Sequence, residues 1–272
     1  MQIAFLVVMF VVGAAMGSFL CCQVRRMREK EVTGKKLGNR SVCMSCGRKL
    51  KWYENIPIIS WVALGGKCKK CGKPIGVAEI LSEVLMGMGF VLLGLRIDVL
   101  KATGLEWGVF VVTAILVLDL GFLAIYDGLY GELPGLCLTF GIICAIIKVI
   151  LENWNLFFGG SPNGEFPWSV VGNIVGAVGI LGGIYLLLYL VSRGKWVGDG
   201  DWILGVIIGI ALGSPWLALI ELFLANFLAT IVMFPALKKN GSRKIYFGPF
   251  LVAAFLIVYA TQPYTETLVT ML

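Results

Sequence analysis

KWVGDGDWILG, residues 195–205, sets two carboxylates, Asp199 and Asp201, around a single glycine. The stretches on either side, Trp168–Val191 and Trp202–Ile220, carry no charge. Both read as membrane-spanning sequence, and a carboxylate at or below headgroup level is costly enough to mark a functional site. Gly213-Ser214-Pro215 interrupts the second stretch, so the segment that Asp201 opens, 201–213, is short. A helix of that length covers about 20 Å of a hydrocarbon core roughly 30 Å thick. It is expected to begin below the membrane surface, with Asp201 at its start.

The whole chain fits this reading. Of its 272 residues 58% are hydrophobic and 14% charged, where a soluble domain has roughly 25% charged. The expected fold is an all-α polytopic membrane protein of about eight transmembrane helices. The spans are 3–22, 77–95, 106–126, 134–151, 168–191, 201–213, 216–236 and 245–263. Met1–Cys22 has no basic residue ahead of its apolar run, so it is expected as a retained span and not as a cleaved signal. The expected domains are 1–22, a first transmembrane helix; 23–76, a small domain; and 77–272, a seven-helix membrane domain.

The net charge of +7 is unevenly spread. Residues 23–76 carry fourteen Lys/Arg against Glu29, Glu31 and Glu54, a net +11. Arg193 and Lys195 lie in a second loop, and Lys238, Lys239, Arg243 and Lys244 in a third. The positive-inside rule puts these loops in the cytoplasm and, with eight spans, both termini outside. The charge is a topology signal, and no nucleic-acid partner is inferred from it.

The 23–76 loop is too small to rest on an apolar core alone. It carries Cys43-Met-Ser-Cys46 and, after twenty-one residues, Cys68-Lys-Lys-Cys71, each pair followed by a glycine, Gly47 or Gly72. Two matched CxxC turns at this spacing are the pattern of a zinc ribbon. The chain has no histidine, so the four ligands are thiolates and the expected cofactor is structural zinc. Cys137 and Cys144 read as small apolar residues within a span.

The missing histidines also exclude Ser-His-Asp and Cys-His hydrolases and HExxH zinc proteases. Any catalytic base must come from a carboxylate, a lysine or a tyrosine. Asp127, in IYDGLYGELPG, closes the third span at the same border where Asp201 opens the sixth. Two carboxylates at one depth on separate helices can share a proton, one acting as acid while the other activates water. Asp199 and Asp201, two apart, cannot form that pair by themselves. Gly198 and Gly200 allow a backbone break and close approach by a substrate strand. Asp119 is read as a structural hydrogen-bonding group, and Glu221 and Lys148 as solvated heads near the outer interface. Glu79 and Glu83, on one helix face, order the start of the second span.

At these residues the chain resembles the type IV prepilin peptidase family, the bacterial GxGD membrane aspartyl proteases. The likeness is carried by GSFL at 17–20, RSVCMSCGRKLKWYENIPIISWVALGGKCKKCGKPI at 40–75, the Asp127–Pro134 spacing, GDGD at 198–201 and FGPFL at 247–251. The chain departs from the family pattern at Cys21, at Gly135 and at Gly76-Val77-Ala78. The resemblance implies catalytic aspartates at Asp127 and Asp201 and cleavage of the basic leader of type IV prepilins or pseudopilins at the cytoplasmic face of the bacterial inner membrane. It also implies N-methylation of the new N-terminus with S-adenosylmethionine, in a pilus or type II secretion pathway.

Loop and leader would both be basic, so the pilin helix is expected to be held among the spans in membrane lipid. Glu54, Glu132 and Asp199 are the expected local contacts for the leader. A proton-coupled transporter would explain Asp119 and Glu221 but not the cysteine turns. A non-catalytic zinc-ribbon scaffold would leave GDGD unexplained.

Overall fold

A computed structural model describes residues 1–34, 41–43, 45–159, 167–240 and 246–271, without the side chains of 234–240 and 263–271. Of the basic residues used for orientation, Lys35, Lys36, Arg40, Arg243 and Lys244 lie outside the described residues, as do the side chains of Lys238 and Lys239. The helices are α1 (Gln2–Thr33), α2 (Ile59–Ala63), α3 (Val77–Gly94), α4 (Gly104–Tyr130), α5 (Gly135–Glu152), α6 (Trp154–Phe158), α7 (Trp168–Ser192), α8 (Asp201–Leu212), α9 (Pro215–Asn240) and α10 (Gly248–Met271). Among the described residues there is no strand, only the isolated bridges Val42–Lys49 and Lys67–Pro74.

Six helices are long and apolar enough to cross a membrane: α1, α3, α4, α5, α7 and the Pro215–Met233 part of α9. Asp201–Leu212 and Gly248–Gln262 are shorter apolar helices. Each of the eight expected spans is therefore a helix. α1 runs eleven residues beyond the expected end at Cys22, because nothing in its basic continuation breaks a helix before Gly34, whose left-handed φ of 68° caps it.

The chain forms two compact units, Met1–Gly94 and Leu95–Leu272. In the first, α1 packs along α3. A Cβ at Gly13 would lie 2.5 Å from the Met86 carbonyl, and one at Gly17 would collide with that of Ser82. The two glycines, four apart, let the helix backbones touch, as small residues do inside membranes. At the end of this contact the α3 carboxylates turn to the loop: Glu79 pairs with Arg25 and Glu83 accepts the Ile58 N–H at 2.7 Å.

In the second unit α8 packs against α5, α7, α9 and α10. Leu204, Ile207 and Ile208 are fully buried. Added Cβ atoms at Gly205 and Gly209 would stand 3.0 Å from the Leu181 and Ala177 carbonyls of α7. Surrounded by protein, α8 need not match the bilayer thickness.

Two expected solvated heads are buried instead. Lys148 pairs with Glu152 at 2.6 Å and donates to the Ala211 carbonyl at 2.8 Å, near the C-terminal end of α8, where a cation complements the helix dipole. Glu221 is fully buried, and neither carboxylate oxygen has a hydrogen-bond partner among the described residues. Asp119 also departs from expectation. Its buried Oδ2 lacks a partner and occupies the space left by Gly141, where a Cβ would come within 2.8 Å. Hydropathy identifies these helices but not the face each turns inward.

Candidate active site and metal centre

Asp127 lies in the last turn of α4, which Gly131 ends in the left-handed conformation. Its Oδ2 accepts the backbone N–H of Gly248, the first residue of α10, at 2.9 Å. A Cβ at Gly248 would sit 2.8 Å from that oxygen, so only glycine lets the amide reach it. Asp201 is the first residue of α8, and its Oδ2 accepts the Gly198 N–H at 2.8 Å. Each carboxylate thus stands at a helix N-terminus, its own in α8 and that of α10 for Asp127, where the exposed amides favour negative charge. Both are buried, at 6% and 5% exposure, and they interact electrostatically with each other.

Leu133, in the loop after α4, closes this arrangement. Its Cβ would lie 2.6 Å from a Cβ built on Gly200, the residue before α8. Gly200 has φ −86°, so it is glycine for space and not for a left-handed turn. The structure therefore gathers Asp127, Gly198, Gly200 and Asp201. Asp199 and Glu132 are exposed and flank the Leu133–Gly200 contact. The Gly248 amide is a site group that sequence reasoning misses; its signal, FGPFL, is visible in the sequence without the role it plays. Tyr185 is another, buried on α7 with its ring 5.4 Å from Phe247 and within electrostatic reach of Asp201 and Glu221.

The cysteine turns are near copies of each other. Cys43 N–H donates to the Arg48 carbonyl and Gly47 N–H to that of Cys43; Cys68 N–H donates to Lys73 and Gly72 N–H to Cys68. Gly47 and Gly72 have φ of 67° and 66°, a conformation that is cheap only for glycine. The four Sγ atoms lie within 4.8 Å of one another, with Cys43 and Cys71 3.9 Å apart. A tetrahedral ion with 2.3 Å metal–sulfur bonds needs sulfurs about 3.8 Å apart, so the residues fit zinc. The Cys71 and Lys70 amides lower the Cys68 thiol below its usual value, while burial and the neighbouring thiols raise Cys71, as expected of cysteines crowded together at one site.

Arg48 braces this centre. It forms a two-pronged pair with Glu54 at 2.9 and 3.0 Å, and its charge lies within electrostatic reach of the Cys68 thiol. Glu54, buried, accepts the Lys51 N–H as well. Arg48 and that amide hold its carboxyl at about 2. The expected role of Glu54 as a leader contact is therefore corrected, since both of its oxygens are already engaged.

A profile of the Bacterial Peptidase A24 N-terminal domain matches residues 11–97, which takes in α1, the cysteine turns and α3. Three curated relatives carry the name prepilin leader peptidase/N-methyltransferase. That of Vibrio cholerae is 26% identical over 95% of this chain and 98% of its own length. That of Dichelobacter nodosus is 30% identical over 79% and 68%. That of Myxococcus xanthus is 43% identical over 32% and 25%. No solved structure matches the chain. The similarity reaches beyond the cysteine turns into both units, and the chain belongs to the prepilin leader peptidase/N-methyltransferase family.

Proposed function

We propose that this chain is an intramembrane aspartyl endopeptidase that removes the leader of type IV prepilins or pseudopilins at the cytoplasmic face of the bacterial inner membrane, and that it also N-methylates the new N-terminus. The observation that carries the peptidase reading is the placement of Asp127 and Asp201. They are two buried, interacting carboxylates, each held by a backbone amide at a helix N-terminus. One proton shared between them serves hydrolysis. The ionised carboxylate takes a proton from water as its oxygen attacks the scissile carbonyl carbon. The protonated partner gives its proton to the amide nitrogen, the C–N bond breaks, and the products are an acid and an amine. The Gly198 and Gly248 amides fix both carboxylates beforehand, so little reorganisation accompanies the reaction.

The leader's basic residues are held by Glu132 and Asp199, exposed beside the aspartates, while the pilin helix lies among the spans in lipid. Cys43, Cys46, Cys68 and Cys71 hold a structural zinc on the cytoplasmic side and take no part in hydrolysis. S-adenosylmethionine, when bound, would supply an electrophilic methyl group for the new N-terminal amine.

With purified protein and a prepilin substrate, Asp127→Asn and Asp201→Asn are each expected to lower leader cleavage by at least about 100-fold. Asp199→Ala is expected to keep kcat, since Asp199 is no part of the proton-sharing pair, and to raise KM for a Lys-rich leader. Cleavage that survives loss of either Asp127 or Asp201 would overturn the assignment.

A further inference from the structure

Singly exposed apolar side chains are ordinary in a folded chain. In the first unit, however, four of them fall within eleven residues: Trp52, Tyr53, Ile59 and Val62. Ile59 and Val62 are 66% and 65% exposed and lie three apart on the outer side of α2. The inner side is occupied: Ser60 donates to the Ile56 carbonyl, and the Trp61 ring fills the space beside Gly66. Trp52 and Tyr53 stand on the short 3-10 turn Trp52–Asn55, which packs against α2.

The height of this segment follows from α1 and α3. An added Cβ at Gly17 would run into Ser82 and Glu83, so Glu83 stands level with Gly17. The apolar run of α1 continues five residues past Gly17, to Cys22, which is about 7 Å of helix. Glu83 therefore starts inside the border of the apolar layer, where an acid is costly. It is buried, and it accepts the Ile58 N–H at 2.7 Å. Ser60, Trp61 and Leu64 share the wall of one cavity with Ser18, Cys21 and Cys22 of α1. One contact to each helix thus holds the segment at the height of the last apolar turns of α1. The backbone is strained to stay there. Ile58 has φ 63° and ψ −53°, and Ile59 N–H closes onto the Pro57 carbonyl at 2.6 Å. This is the rare form of the γ-turn, and for a β-branched residue such a φ is an outlier. Strain of this kind persists where the surroundings over-determine it. Here it reverses the chain and leaves Ile59 and Val62 on the side away from the cavity.

At that height the outer side of α2 meets the boundary between headgroups and acyl chains, not bulk water. We propose that residues 57–63 form an interfacial membrane anchor, tied down by Glu83, with Ile59 and Val62 inserted into the bilayer border. Trp52 and Tyr53 lie among the headgroups, where amphipathic rings are favoured. Lys51 and Lys67, both exposed, flank the patch and keep their charges in the same polar layer. Lys51 already sets its Nζ 5.8 Å from the centre of the Tyr53 ring. The partner of this surface is the lipid bilayer, reached by a segment too short to span it. The zinc knuckles on either side of the anchor are thereby seated on the membrane and do not swing freely between two spans. The inference depends on α1 and α3 crossing the bilayer, and it holds whether or not the chain cleaves prepilins.

The test uses the full-length, zinc-loaded protein in vesicles of phosphatidylethanolamine and phosphatidylglycerol whose acyl chains are brominated near the headgroup. A fluorescent amino acid is placed singly at Ile59, Val62, Leu81 or Val32, all of them exposed side chains. Leu81, near the start of α3, reports lipid contact. Val32 reports water, since it stands ten residues beyond Cys22 on the continuous helix α1, about 15 Å outside the apolar run. Ile59 and Val62 are each expected to be quenched at least about three-fold more strongly than Val32 and within about two-fold of Leu81. Quenching at Ile59 and Val62 no stronger than at Val32 would overturn the proposal, because the patch would then face water and be free for a protein partner. Glu83→Ala is expected to lower quenching at Ile59 at least about two-fold with Leu81 unchanged, whereas Glu83→Gln, whose amide oxygen still accepts the Ile58 N–H, keeps it. Full quenching at Ile59 in Glu83→Ala would refute the role of Glu83 as the tie. Zinc content is read on every sample to show that the knuckles are intact; should a label at one position cost the metal, the other position decides.

Discussion

The cysteine turns and the aspartate pair are both small groups of side chains on turns, yet different forces hold them. Each knuckle closes on itself within six residues, Cys43 onto Arg48 and Cys68 onto Lys73. Only the join between the two knuckles spans a longer stretch, and a metal ion is suited to bridge it. The aspartates stand seventy-four residues apart in sequence, and the amide that holds Asp127 comes from a third segment, 121 residues away. No short turn fixes that arrangement; it exists because α4, α8 and α10 pack in one register. The first site should therefore fail through loss of a ligand, and the second through a packing error of less than an ångström.

The largest effect is expected where the metal is removed. Structural zinc in small cysteine domains contributes on the order of 10–16 kcal/mol at neutral pH, more than a single packing contact can. Cys43→Ser should release the zinc equivalent carried by wild type. It should also open the loop to trypsin at Lys49, Lys51, Lys67, Lys69 and Lys70, while Leu95–Leu272 stays protected. Metal analysis and a proteolysis time course read both. Zinc absent from wild type, or protection lost throughout the chain, would erase the contrast.

The same contrast explains what is legible in the sequence. The knuckles can be read from spacing because their constraints are local: two cysteines, a turn and a glycine at +1. Asp127 and Asp201 can be paired by depth because both sit at hydropathy borders, and the membrane orders residues along one axis. Depth says nothing about rotation around a helix. Lys148 and Glu221 are therefore expected at the outer interface, although both face inward. The Gly248 amide is illegible for a related reason. A backbone donor carries no side-chain signature, and its role depends on where α10 starts against α4.

A middle-sized effect should follow from filling the space at Gly200. In Gly200→Ala the new methyl group would meet Leu133 Cβ and Cδ1, both at 2.6 Å. Overpacking of this kind moves backbone, and small displacements at a catalytic centre are costly in rate. Leader cleavage, measured as kcat/KM, is expected to fall at least about ten-fold with zinc content unchanged. Adding Leu133→Ala should restore part of it, because the double substitution relieves the clash that the single one creates. An unrescued loss would mean that Gly200 acts by some route other than its contact with Leu133.

The smallest effect is expected at Glu54, which touches neither a ligand sulfur nor an aspartate but holds Arg48, whose charge lies within electrostatic reach of Cys68. Residues that orient metal ligands typically contribute about 10-fold or more to affinity, so Glu54→Gln should weaken zinc about 10-fold in competition with a chelator. The pH dependence of this difference sharpens the point. The Glu54 carboxyl is lowered from 4.5 to about 2 in the folded chain. Its stabilisation is therefore complete above about 4.5 and is lost only as pH falls toward 2. Between pH 7 and 5 the zinc affinity of both proteins should drop together as the thiolates take up protons, with their ratio constant. A ratio that shrinks across that range would show that Glu54 gains a proton there, and that the Arg48 pair is weaker than its two short hydrogen bonds imply.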